Sequence, residues 1–290
     1  MDAGGPNRGR LPTIHRPNLD QQGSDVKPFE FIAGSPKAGI LLICDHASNR
    51  IPREFGTLEL DAHAAELHVA WDIGAAALTR RLAARFAFPA VLTTASRLVI
   101  DCNRTPGHAA SIPAVSHGVV VPGNQDLSGA QRLAREDEFF HPYHRAIAAE
   151  LGMMETHGGA PAPALVSIHS FTPVLADMTR PWHVGILSDH DRRLADFFLA
   201  VLRQESGIVV GDNEPYSGRH PEGYSCPTHG DARGRPNVLI EVRQDLLVDD
   251  ININAWVERL GGVLEELLRL GPAALRPDTA AAMAQPGRAA

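Results

Sequence analysis

Cysteine is scarce in this chain: Cys44, Cys102 and Cys226 are the only three among 290 residues. An odd, sparse set fits a reducing compartment better than a disulfide framework. No Cys-x-x-Cys pair occurs, which argues against a thiolate zinc site. Long hydrophobic runs are missing too. No stretch approaches the roughly 18 apolar residues of a membrane span, and the N-terminal residues contain no apolar core of a secretory signal. The expectation is a soluble, cytoplasmic protein. Gly-x-Gly-x-x-Gly and Walker A sequences are absent, so nucleotide binding has no support. The Gly-x-Ser-x-Gly elbow of serine hydrolases is absent as well. Basic residues are in deficit, 27 Lys and Arg against 34 Asp and Glu, for a formal net charge of −7. That balance argues against nucleic acid or an anionic membrane as a general partner, since both attract basic faces. A small anionic ligand held by local arginines remains compatible with it.

What the chain does contain is a set of chemically capable residues at the ends of hydrophobic runs. His169 ends the apolar run 164–168, within Ser-Ile-His-Ser-Phe at 167–171. The run 39–44 leads straight into Asp45 and His46, and the run 237–242 carries Glu241. Short apolar runs of this kind read as buried strands, and open α/β sheets keep their chemistry at the carboxyl ends of strands. Two histidines and a glutamate so placed suggest a metal-assisted hydrolase.

The runs alternate with helical patterns. Strands are expected at 39–44, 90–94, 98–101, 164–168, 183–187, 208–210 and 237–242. Helices are expected at 72–86, from Ser128 onward with a kink at Pro142, at 191–205 and at 254–270. The alternation predicts an α/β fold, three-layer α/β/α, with a central mixed, mostly parallel sheet in a single domain over 28–271. Residues 1–27 and 272–290 lack periodicity and are expected to be a disordered arm and a flexible tail. The polar loops 103–127 and 211–236 are longer than a compact domain usually tolerates, and their Arg, His, Asn and Tyr content suggests walls of a substrate site.

Two strand-end histidines, His46 and His169, can converge on one ion, and a catalytic zinc keeps three protein ligands and an open position. Asp72, in Ala-Trp-Asp-Ile-Gly, is the third candidate; its bland alternative is a helix N-cap, worth about 1 kcal/mol. Asp45 competes for the same role but is adjacent to His46. Glu241, among apolar neighbours, needs a partner if charged. It either pairs with Arg243 or Arg97, or serves as a general base whose pKa burial has raised. Arg97, Asn103 and Arg104 flank the apolar segment 98–101; arginine grips carboxylates bidentately, so this segment is a candidate substrate clamp. His141 and His144 share a helix face and are read as packing or substrate contacts.

These residues sit in Cys-Asp-His-Ala-Ser-Asn-Arg-Ile-Pro at 44–52, Trp-Asp-Ile-Gly at 71–74, Ser-Arg-Leu-Val-Ile-Asp-Cys-Asn-Arg at 96–104 and Phe-His-Pro-Tyr-His-Arg at 140–145. Ser-Ile-His-Ser-Phe-Thr-Pro at 167–173, Pro-Tyr-Ser-Gly at 215–218, Thr-His-Gly at 228–230 and Val-Leu-Ile-Glu-Val-Arg-Gln-Asp-Leu at 238–246 continue the pattern. From about residue 30 to 268 the chain resembles the N-formylglutamate amidohydrolases. The resemblance implies a zinc-carboxypeptidase-like α/β/α (phosphorylase/hydrolase-like) fold and hydrolysis of N-formyl-L-glutamate to formate and glutamate in histidine breakdown. It implies one divalent metal ion, zinc, on His46, Asp72 and His169, with Glu241 as proton shuttle. Arg97, Asn103, Arg104 and His229 would orient a small anionic N-acyl amino acid. The chain departs from the related patterns at Asn49, where carboxypeptidases have an acid, and in the stretch 218–224. A related N-acyl amino acid is thus an alternative substrate; a peptide or peptidoglycan amidase and a non-catalytic carboxylate binder are alternative functions.

Overall fold

The computed structural model describes residues 26–158, 162–218, 223–271 and 275. Almost all of the arm expected over 1–27 and of the tail expected over 272–290 lies outside the described residues. The strands are β1 (Phe29–Ile32), β2 (Ile40–Cys44), β3 (Ala90–Thr93), β4 (Val115–Ser116), β5 (Val119–Val120) and β6 (Ala164–Phe171). They continue with β7 (Val174–Leu175), β8 (Met178–Thr179), β9 (Val184–Leu187), β10 (Val210–Asp212) and β11 (Asn237–Arg243). The α-helices are α1 (Ala75–Phe86), α2 (Gly129–Arg135), α3 (His141–His157), α4 (Arg193–Leu202) and α5 (Asp250–Leu270).

Seven strands form one sheet in the order β1-β3-β2-β6-β11-β9-β10; β4–β5 and β7–β8 are separate small hairpins. β3, β2, β6 and β11 run parallel, β9 turns antiparallel against β11, and β1 is an antiparallel edge strand on β3. The alternation of side chains along each strand explains the layers. Ile40, Leu42 and Cys44 of β2, Val166 and Ile168 of β6, and Val238 and Ile240 of β11 pack under α1, α4 and α5. Leu41, Ile43, Val91 and Leu165 face the other way, onto Tyr143, Ile147, Leu151 and Met154 of α3. Each of these fully buried aliphatic side chains contributes about 1.5–3 kcal/mol by leaving water. The result is the three-layer α/β/α arrangement with a mixed, mostly parallel sheet.

β1 and the two small hairpins are not expected from the sequence, the strand expected at 208–210 lies at Val210–Asp212, and three further local features differ from the sequence expectation. Residues 98–101 are not a strand but part of a turn. Leu98, Val99 and Ile100 are apolar because they are buried in a satellite core with Leu58, Val69, Phe139 and Phe140. The backbone carbonyls they strand are taken by side chains: Asn124 Nδ2 donates to Leu98 O (2.7 Å) and Arg135 Nη1 to Val99 O (2.9 Å). Around Pro142 the helix is not merely kinked. A π-helical turn, Glu136–Phe140, sits between α2 and α3 with the His141 amide donating to Glu136 O, and Pro142 follows in the first turn of α3. Finally, α1 begins at Ala75, with Gly74 as N-cap at φ 81°. A Cβ there would lie 2.3 Å from Leu247 Cβ, so the position requires glycine on two counts.

Among the described residues no helix is long and apolar enough to cross a membrane.

Candidate metal centre and active site

The chain leaves β2 for β3 on one side and later returns to place β6 on the other side of β2. The carboxyl ends of β2 and β6 therefore flank a topological switch point, where an open sheet leaves a crevice. His46 emerges just past β2 and His169 from β6; their rings meet edge-on with centroids 4.9 Å apart. Glu241 lies beside His169 in the parallel β6–β11 register, on the same face of the sheet. All three are buried.

Asp72 does not cap α1. Its Oδ2 accepts from His169 Nδ1 (2.8 Å) and lies 3.3 Å from His46 Nδ1. The candidate donor atoms of His46, Asp72 and His169 all lie within 4.8 Å of one another. The far nitrogens are engaged elsewhere. His46 Nε2 is 2.8 Å from Asp101 Oδ1, and His169 Nε2 is 3.0 Å from Asp45 Oδ2. Each imidazole is thus oriented by a carboxylate behind it and presents Nδ1 to the centre, the arrangement that supports histidine ligands at metal sites. Two imidazoles and one carboxylate are a fitting donor set for a zinc ion with an open position.

The carboxylates behind the histidines are themselves anchored. Asp45 accepts from Tyr143 Oη (2.9 Å), Ser225 Oγ (2.6 Å) and Ser167 Oγ (3.1 Å). Asp101 accepts from Arg97 Nη2 (2.6 Å) and from the Asn103 amide (2.8 Å). Burial alone would raise the pKa values of Asp45, Asp72 and Asp101. The neighbouring histidines, and Arg97 beside Asp101, outweigh it and hold all three well below the ordinary range. Burial likewise opposes a charge on His169, but Asp45 and Asp72 push it up to about 10.

Glu241 behaves differently. Burial raises its pKa to about 7 against the opposing pull of His169. It is paired with neither Arg243 nor Arg97: Arg243 binds Asp245 (2.8 Å), and Arg97 binds Asp101 and approaches Asp72 (3.6 Å). Glu241 Oε2 is buried with no hydrogen-bond partner among the described residues. An orphaned carboxylate oxygen of this kind marks a place for a ligand rather than a structural pair.

These groups line a pocket of about 480 Å³ that also includes Arg97, Asn103, Arg104, His117, Ser188, Asp189, Tyr216 and Asp231. Of the four residues expected to touch substrate, Arg97, Asn103 and Arg104 stand on this wall and His229 does not. His229 is buried behind it, stacked on His144 with Nε2 3.0 Å from His144 Nδ1, while His144 Nε2 donates to Cys102 O (2.8 Å). The pair braces the 102–104 segment from α3, which answers for His144 as well. Asn103 Oδ1 accepts from the amides of Tyr224 and Ser225, tying one wall loop to the other.

Residues 38–248 match the N-formylglutamate amidohydrolase family. The chain belongs to this family. No curated protein sequence matches it. Among solved structures it is similar to the gene product Atu2144 of Agrobacterium tumefaciens, at 34% identity and a TM-score of 0.78, covering 84% of this chain and 95% of that one. It also shares the fold of an N-formylglutamate amidohydrolase from Ralstonia eutropha JMP134, at 18% identity and a TM-score of 0.60, over 83% of this chain and 97% of that one. The family is one of amidohydrolases, and the pocket of this chain contains a triad able to hold a metal ion, the buried carboxyl of Glu241 and two arginines, Arg97 and Arg104.

Local sequence reading leaves Asp101 and Tyr216 without a role and gives Asp45 only that of a competing ligand. Asp45 and His46 are neighbours at a strand end and point apart, so Asp45 holds the back of His169 while His46 faces Asp72.

Proposed function

We propose that this protein hydrolyses the amide of an N-formyl, or more broadly N-acyl, acidic amino acid with the aid of one divalent ion, zinc. The leading substrate is N-formyl-L-glutamate, yielding formate and glutamate as a step of histidine breakdown in the cytoplasm. The family supports this reading, and one observation carries it: Glu241, buried with an unpartnered oxygen, stands beside the His46–Asp72–His169 cluster.

His46 and His169 would hold the ion through Nδ1, and Asp72 through its carboxylate. When bound, the ion would act as a Lewis acid toward the scissile carbonyl. Glu241, with its pKa near 7, accepts a proton from the attacking water. It returns that proton to the amide nitrogen as the C–N bond breaks, so the amine leaves neutral and Glu241 is restored. Arg104 and Asn103 Nδ2 hold the substrate's α-carboxylate on the pocket wall. Arg97, tied to Asp101 and Asp72, adds positive charge there and keeps both acids ionised. His229 props this wall from behind. The partner is a small anion; neither nucleic acid nor membrane enters the reading.

The test is formate release from a panel of N-formyl amino acids, with and without chelator. Turnover that chelation abolishes and zinc restores is the expected result. In Glu241→Gln, bound zinc should be retained while kcat falls roughly 100- to 10,000-fold, the contribution of a proton shuttle. Undiminished turnover in that variant would remove Glu241 from the mechanism.

A further inference from the structure

Tyr216 shares the pocket with the His46–Asp72–His169 cluster and Glu241. One side of its hydroxyl is already engaged. Arg180 Nη1 donates to Tyr216 Oη (2.9 Å), and the guanidinium lies 4.8 Å over the Tyr216 ring. A guanidinium can only donate, so this contact uses the phenol oxygen as an acceptor and turns its O–H elsewhere. Among the described residues no acceptor takes that proton. Burial, with the Glu241 charge adding to it, raises the Tyr216 pKa against the pull of Arg180, so the phenol stays protonated at neutral pH. The result is a fixed O–H donor on the pocket wall.

Arg180 is itself held firmly. It is 8% exposed, just past the β7–β8 hairpin, and no carboxylate among the described residues comes within ion-pair distance of it. Its amide donates to Pro173 O (2.8 Å), its Nη1 more distantly to Thr172 O (3.4 Å), and its guanidinium lies 5.8 Å from the Phe171 ring. Arg243 Nη1 donates to Arg180 O (3.3 Å). Phe171 and Arg243 are register partners that end β6 and β11, two residues beyond the partners His169 and Glu241 and on the same faces of those strands. The anchors of Arg180 thus lie roughly 7 Å farther along the sheet than His169 and Glu241. The loop carrying Tyr216 is pinned as well: Asn213 Oδ1 accepts from the amides of Gly218 (2.9 Å) and Ser188 (3.1 Å). Arg97 spends its charge on Asp101 and Asp72, whereas the charge of Arg180 falls on the Tyr216 hydroxyl and polarises it.

We propose that Tyr216 is a catalytic hydrogen-bond donor to the scissile carbonyl oxygen as negative charge develops on it, and that Arg180 is the positioning residue that fixes and polarises its hydroxyl. The inference rests on the hydrolase reading above and deepens it. Tyr216 keeps its proton throughout. Its hydrogen bond strengthens as the carbonyl carbon becomes tetrahedral and relaxes when the C–N bond breaks, while Glu241 alone moves protons. A donor of this kind acts on the transition state more than on the bound substrate, so its loss is read in kcat rather than KM.

The experiment measures kcat and KM for N-formyl-L-glutamate in the zinc-loaded enzyme, wild type and variants. Tyr216→Phe should lower kcat roughly 100- to 1,000-fold, the loss for one such donor, with KM and bound zinc unchanged. Arg180→Gln should lower kcat roughly 10- to 100-fold, the range for a hydrogen bond to a charged group, and Arg180→Lys should recover part of the loss. In the Tyr216→Phe background Arg180→Gln should cost nothing more, because its effect passes through the hydroxyl. A full Arg180 effect in that background overturns the positioning role. Unchanged kcat in Tyr216→Phe overturns the donor while the hydrolase reading stands. Calorimetric binding of N-(methylphosphonyl)-L-glutamate, a tetrahedral anion, against planar N-acetyl-L-glutamate provides a readout that does not need turnover. The wild type should favour the tetrahedral anion, and Tyr216→Phe should lose most of that preference; equal preference in both proteins overturns the donor. If the preference depends on Tyr216 yet no N-formyl amino acid is hydrolysed, the donor stands and the N-formyl reading fails.

Discussion

Asp45 and Asp101 do for the two histidines what neither histidine can do alone: they choose which nitrogen faces the centre. With Nε2 of His169 held at 3.0 Å and Nε2 of His46 at 2.8 Å, the remaining Nδ1 atoms are pre-aimed at one point beside Asp72. Replacing Asp45 with Asn keeps an acceptor but removes the charge that orders four donors around it. Zinc affinity in Asp45→Asn should fall roughly 10- to 100-fold, the usual cost of losing such a supporting carboxylate. Competition against a chromogenic chelator measures this directly, and wild-type affinity in the variant would show that Asp45 only fills space. Both acids were visible in the sequence motifs. Their function was not, because an aspartate's role depends on which ring nitrogen stands opposite it in space.

Among the elements, α3 packs through a buried histidine pair that acid would charge. It carries His144 against His229 of the Cys226–Gly230 turn, and together they buttress the segment bearing Asn103 and Arg104. Burial holds both histidines near pKa 4, and for His229 the adjacent His144 adds to the effect. The unfolded value is about 6.5. Between these values the unfolded chain binds more protons than the native one, so stability rises with pH. The contribution of the pair is therefore complete above about pH 6.5 and is lost progressively toward pH 4. Denaturation midpoints at pH 7 and pH 5 should separate more widely in the wild type than in a His144→Gln, His229→Gln double variant. Equal separation would mean that the pair titrates as it does in the unfolded chain. On this scale helices were readable from their 3.6-residue periodicity, and α5 and α4 fall close to expectation. The apolar stretch 98–101 was misread, because local hydrophobicity reports burial and not the kind of backbone that is buried.

At the scale of the whole molecule the sheet gathers Asp45, Asp72, Asp101 and Glu241 into one buried region at the carboxyl ends of β2, β6 and β11. Such a concentration of acids favours a cation that binds the fold and not the unfolded chain. Zinc should accordingly stabilise the protein by about 2.7 kcal/mol at a free concentration of 100 Kd. Thermal unfolding with and without chelator checks this, with His169→Ala as a control that should lose most of the shift. An identical Tm in the wild type under both conditions would argue against a metal centre.

The sequence by itself determined the buried strands, the alternation with helices and the placing of His46, His169 and Glu241 at strand ends. These follow from periodicity and local apolarity, which act over a few neighbouring residues. Tertiary structure decided the rest. It set β6 beside β2, so that His169 meets Asp72 across 97 residues of chain and Asp45 across 124. It withdrew His229 from the pocket wall and brought His117 to it at the tip of the β4–β5 hairpin. No local pattern carries that information, because it is fixed by which strands pair and which faces they bury.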